Sequence, residues 1–146
     1  MKNNYNLNDK LVVFDIETVI DEKIKPDGYK EGELLDPVTC KVVAIGFVAA
    51  SITKKGMRES FTIEYSGCGT GDEADLLNKF IGYLDRVRGR LLTWNGKKFD
   101  MPVLIYRSLI NSVQMPFLFQ LGTKWDSYRQ RYSEDWHCDL MDTMSC

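Results

Sequence analysis

The chain is poor in the residues that build soft metal centres. His137 is the only histidine among 146 residues, and the four cysteines, Cys40, Cys68, Cys138 and Cys146, form no Cys-x-x-Cys pair. Zinc sites draw on closely spaced His and Cys, so that class is excluded. Scattered thiols fit a reducing compartment better than a disulfide framework. Charge of one sign is lacking too. The net charge is −2, so no overall positive field gathers nucleic acid, and any such contact must be local, through a metal or a basic patch. The longest apolar run, Val42 to Ile52, is too short to cross a bilayer and is flanked by Lys41 and Lys54. Met1 to Asp9 is polar and asparagine-rich, unlike a secretion signal, and reads as a loose lead-in. A soluble, cytoplasmic protein with no membrane contact is expected. No internal repeat occurs and there is no room for a second ordinary domain, so residues 1–146, 44% hydrophobic, read as one domain.

What is present centres on Leu11-Val12-Val13-Phe14-Asp15-Ile16-Glu17-Thr18. Its residues favour a pleated, buried surface, so it reads as a central strand. Side chains alternate along a strand, which places Asp15 and Glu17 on one face. Two acids side by side there cost free energy unless their charge is compensated, and hard carboxylate oxygens suit Mg²⁺ or Mn²⁺.

The rest of the chain supplies the layers around that strand. Val19 to Thr39 is charged and broken by Pro26, Gly28, Gly32 and Pro37, so it reads as a long loop leaving directly from the acids. Lys41 to Ser51 and the alternating Glu59 to Tyr65 read as two strands joined by a turn at Lys54-Lys55-Gly56. Ser66 to Gly71 is glycine-rich but lacks the Lys-Ser/Thr ending of a phosphate cradle. It reads as a loop closed by a capping box, Thr70 with Glu73. Leu76, Leu77, Phe80, Ile81, Leu84 and Val87 then recur at helical spacing, predicting a helix from about Asp72 to Arg88 that Gly89 closes. Arg90 to Trp94 predicts a short strand, Asn95-Gly96 a turn, and Phe99 onward a second helix to about Asn111, with Pro102 in its first turn. An aromatic-rich connection from Gln114 to Trp125 follows, then a basic-aromatic cluster of Tyr128, Arg129, Arg131 and Tyr132. Asp135 to Met141 predicts a last strand and Asp142 to Cys146 the start of a helix.

Asn95-Gly96-Lys97-Lys98-Phe99-Asp100 thus sits on a strand-to-helix junction, where Asp100 can approach Asp15 and Glu17. The same residues also suit a plain turn and an N-cap. Together, F-D-I-E-T at 14–18 and N-G-K-K-F-D at 95–100 resemble the first and second motifs of the DEDD superfamily of 3′–5′ exonucleases. The stretches W-N-G-K-K-F-D-M-P-V-L and H-C-D-L-M-D are similar to predicted exonucleases related to the exonuclease domain of family B DNA polymerases. The resemblance implies an α/β, RNase H-like fold: a mixed five-stranded sheet flanked by helices. It implies Asp15, Glu17 and Asp100 as catalytic ligands of two Mg²⁺ or Mn²⁺ ions, with ions about 4 Å apart serving an in-line displacement. It further implies Thr18, Asn95 and Phe99 at the substrate, the 3′ end of a single-stranded DNA, with nucleoside 5′-monophosphates as products.

The superfamily draws a fourth acid from a third motif, Tyr-x-x-x-Asp or His-x-x-x-x-Asp, on a C-terminal helix. His137 and Asp142 have the second spacing. In the resembled exonucleases, however, H-x-D-L-M-D belongs to the strand after the second motif, which makes Asp139 or Asp142 structural, as a helix cap. The expectation is therefore a domain shortened at its C-terminal helix, with one sheet face open to a second copy of the chain or another partner. An inactive nucleic-acid-binding or fragment module of the same fold is the alternative.

Overall fold

The computed structural model describes residues 7–145. The lead-in over residues 1–6 and Cys146 lie outside the described residues. The apolar runs become five strands: β1 (Lys10–Ile20), β2 (Cys40–Lys55), β3 (Arg58–Thr70), β4 (Arg90–Thr93) and β5 (His137–Asp139). They form one mixed sheet in the order β3-β2-β1-β4-β5. β2 runs antiparallel to both β1 and β3, whereas β4 and β5 run parallel to β1. The expected α/β, RNase H-like architecture is what the chain adopts.

Alternation along β1 decides both faces of the sheet. Val12, Phe14 and Ile16 are buried against the helices, while Asp15 and Glu17 point the other way and are exposed. The helices are α1 (Glu73–Val87), α2 (Asp100–Ile110), α3 (Pro116–Gln120) and α4 (Leu140–Met144). Leu77, Ile81 and Leu84 of α1, Val103 and Leu104 of α2 and Phe117 of α3 complete the main core on the Val12 side. The opposite face holds only a small cluster of Leu11, Ala50 and Ile52 with Val13 and Leu92. No helix among the described residues is long and apolar enough to cross a membrane.

A buried ion network ties these layers together. Arg107 of α2 donates to Glu73 at the start of α1 and to Asp21 after β1, the Asp21 contact being 2.8 Å. Glu73 also accepts from the Val42 backbone N–H at 2.7 Å and from Asn111. Arg107 and Glu73 are almost fully buried. Burial pushes the Glu73 carboxyl up, but Arg107, the Val42 N–H and Asn111 together outweigh it and hold the group below its usual range.

Several boundaries differ from the sequence expectation, each for a local reason. The Ser66–Gly71 stretch is mostly strand, not loop: β3 runs on to Thr70, pairing Gly67 with Phe47 and Gly69 with Ile45. Its glycines serve close packing, since a Cβ on Gly69 would stand 2.9 Å from Leu76. Asp72, not Thr70, caps α1, accepting from the Asp75 N–H at 3.1 Å. Glu73 is consequently free to be the buried ion-pair partner rather than a capping residue. The left-handed residue closing α1 is Arg88, with φ of 50°; Gly89 follows where a Cβ would press on the Lys10 backbone. Helix α3 lies in the stretch read as connection, and α4 begins at Leu140, before Asp142.

Candidate active site

Strand β1 outruns its parallel partner. The β1–β4 ladder ends at Val13 and Leu92, so the edge of β1 beyond Val13 is free of β4. Asp100, the first residue of α2, fills that place. Its side chain is buried, and its carboxyl lies against the backbone N–H groups of Asp100 itself and of Ile16. Burial, then the neighbouring charge of Asp15, pushes the Asp100 carboxyl up to about 6. The fold has thus brought the second motif beside the first across 85 residues of chain (100 − 15).

On the other edge of β1, small residues keep the acids open. Gly46 pairs with Asp15 and Ala44 with Glu17, and a bulge follows between Glu17 and Thr18. The cleft above them, about 900 Å³, is lined by Asp15, Glu17, Gly46, Val48, Cys68 and Trp94 among others. Leu140 of α4 reaches its margin. Trp94 is exposed, directly precedes Asn95, and was not singled out by sequence reasoning. Its signal was position alone: an aromatic residue at the end of the strand that carries the second motif.

The turn into α2 is held from behind. Asn95 takes a left-handed conformation, φ 59°, and its carbonyl accepts from the N–H groups of Lys98 and Phe99. Asp139 at the end of β5 is buried and accepts from the N–H of Asn95 at 2.8 Å, of Lys97 at 3.0 Å and of Met141 at 3.2 Å. One carboxylate therefore clamps the motif turn and caps α4, which makes Asp139 structural, as the strand reading of H-C-D-L-M-D expected. His137 is buried, with Nε2 2.7 Å from Thr93 Oγ1, and burial holds its ring neutral with a pKa near 4. Asp142 pairs with Lys98 at 2.7 Å. Both line a second cleft rather than the one over Asp15 and Glu17.

Asp15 and Glu17 thus share the open cleft and Asp100 sits at the β1 edge beside Asp15. Asp100, Thr18, Asn95 and Phe99 are not among the residues that line this cleft. Thr18 is half-buried at the bulge, where its hydroxyl meets the Cys40 thiol, and Phe99 packs against the main core. No three His, Cys, Asp or Glu side chains among the described residues converge as a metal-holding group. The donor chemistry nevertheless fits a hard divalent cation: carboxylate oxygens only, one of them held protonated to unusually high pH by burial and by a like charge that a cation would relieve.

The comparisons agree with this architecture. Residues 33–146 match the model of a family described as a predicted 3′-5′ exonuclease related to the exonuclease domain of PolB. The matched region contains Asn95 to Asp100 and begins after Asp15 and Glu17. The family B DNA polymerase of Pyrobaculum calidifontis is similar over 93% of this chain and 16% of its own, with a TM-score of 0.54 and 17% identity. Exonuclease I of E. coli, solved with a dT13 oligonucleotide, is similar over 94% of this chain and 29% of its own, with a TM-score of 0.55 and 13% identity. The chain thus spans less than a third of either structure, and at these identities the likeness is one of fold. No curated protein matches the sequence. With the family matched across most of its length, the chain belongs to the 3′-5′ exonuclease family related to the exonuclease domain of PolB.

Proposed function

We propose that residues 1–146 form a single domain that hydrolyses single-stranded DNA from its 3′ end, releasing nucleoside 5′-monophosphates. The observation that carries this reading is the burial of Asp100 at the free edge of β1, against the Ile16 N–H and within reach of the Asp15 charge, a setting that raises its carboxyl to about 6. Asp15, Glu17 and Asp100 would hold Mg²⁺ or Mn²⁺, two ions in the full site. Such ions, when bound, supply Lewis-acid activation of the attacking water and stabilise the departing oxygen. The protein's own part is to aim the acids. Burial fixes the Asp100 rotamer, Asp139 fixes the turn before it, and Gly46 and Ala44 leave Asp15 and Glu17 open to a phosphate. Trp94 offers a flat surface for the terminal base, a contact worth about 1–3 kcal/mol per stacked base. Thr18, Asn95 and Phe99 act by shaping the strand end and the turn.

Digestion of a 5′-labelled single-stranded oligonucleotide in Mg²⁺ and in Mn²⁺, beside Asp15→Ala, tests this. A ladder shortening from the 3′ end and lost in the variant is expected. The absence of a converging three-ligand group among the described residues favours one second reading, a module of the same fold that grips 3′ ends without cutting. Folded protein that binds the oligonucleotide and leaves it intact would establish that reading and refute hydrolysis.

A further inference from the structure

A second cleft, of about 430 Å³, opens beside the same turn that carries Asn95. Lys97, Lys98, Phe119, Arg129, Arg131 and Asp142 are among its lining residues. In a chain of net charge −2, its walls present four cations and one carboxylate. That carboxylate, Asp142, is already matched by Lys98. Lys97 is fixed at the rim, its Nζ donating to the Ser133 carbonyl at 3.1 Å. Arg129 and Arg131 meet no carboxylate at ion-pair distance among the described residues. Their guanidinium groups lie over aromatic rings instead, 5.9 Å from the Phe119 centroid and 5.8 Å from the Tyr132 centroid.

We propose that this cleft binds internal phosphodiester groups of the same nucleic-acid strand whose 3′ end enters the carboxylate cleft. The proposal rests on the nucleic-acid reading above and adds to it a second contact site. Guanidinium groups suit phosphate because their fork of N–H donors matches its oxygens, and aromatic rings beside them take bases by stacking. The two clefts share one turn: Trp94 lines the first, and Lys97 and Lys98 line the second.

The test is binding of a short fluorescent oligothymidylate, followed by anisotropy across a salt series in EDTA so that nothing is cut. Each phosphate contact to a single strand contributes about 0.7 to the slope of log K against log salt. Arg129→Gln with Arg131→Gln should flatten the slope by about 1.4. Arg129→Lys with Arg131→Lys retains the charges and should keep most of it. Both positions are exposed, so thermal melts matching the parent protein are expected and verify folding. An unchanged slope in the glutamine pair, or no binding by the parent protein, overturns the proposal. Cutting is scored apart. An arginine-dependent slope without a ladder keeps the cleft and removes the nuclease reading, and a ladder with an unchanged slope does the reverse.

Discussion

Asp100→Asn should stabilise the metal-free protein at neutral pH. The Asp100 carboxyl is raised from 3.8 to about 6, first by burial and then by Asp15. A raised acid binds its proton more tightly folded than unfolded, so its contribution to stability falls as pH climbs through that interval. Two pH units correspond to roughly 3 kcal/mol. The amide of the Asp100→Asn variant carries no charge and keeps an acceptor for the Ile16 N–H. The variant's stability relative to the parent protein should therefore improve by about 3 kcal/mol between acid and pH 8, less whatever relaxation recovers. The parent protein's own profile conceals this. His137 is pushed down to about 4 by burial, so the unfolded state takes its proton first and stability is lost as pH falls from 6.5 toward 4. The two slopes oppose each other over nearly one window, and only the difference between variant and parent isolates Asp100. Urea denaturation at several pH values in EDTA measures it. Mg²⁺ or Mn²⁺ should then stabilise the parent protein, by about 2.7 kcal/mol at a hundred times Kd, and Asp100→Asn far less. A difference between variant and parent that stays constant with pH would refute the buried, proton-retaining setting of Asp100 at the edge of β1.

Other consequences follow from the same contacts. Arg107→Ala leaves Glu73 buried and unpaired, and should cost about 3–5 kcal/mol in urea melts. Asp139→Ala strands the Asn95 and Lys97 N–H groups, costing about 1–3 kcal/mol per buried donor, and should lower cutting more than Asp142→Ala does. The single imidazole signal in NMR should stay neutral down to about pH 5, since the His137 pKa lies near 4. Trp94→Ala should weaken oligonucleotide binding by about 1–3 kcal/mol with little change in melting, because the ring is exposed.

The linear pattern determined a good deal. Leu11 to Thr18 could hardly be other than a central strand, and its alternation alone set Asp15 and Glu17 on one face, because strand periodicity is local. The spacing of Leu77, Phe80, Ile81 and Leu84 determined α1 for the same reason. Glycine chemistry was read less well. Gly67 and Gly69 signalled a loop by composition, but their role is to let Phe47 and Leu76 approach a continuing strand, a partner identity that no local pattern contains. Glu73 looked like a capping residue until Arg107, 34 residues on, became its partner. The site divides along the same line. Its acids were legible as motifs, yet only tertiary structure decided that β4 stops where Asp100 must enter, that Asp139 serves as a clamp behind the turn, that Trp94 lines the cleft, and that Thr18 and Phe99 turn inward. Those facts depend on where strands end relative to one another and on which polar groups are left to satisfy at each end, and both are set by pairing across the sheet.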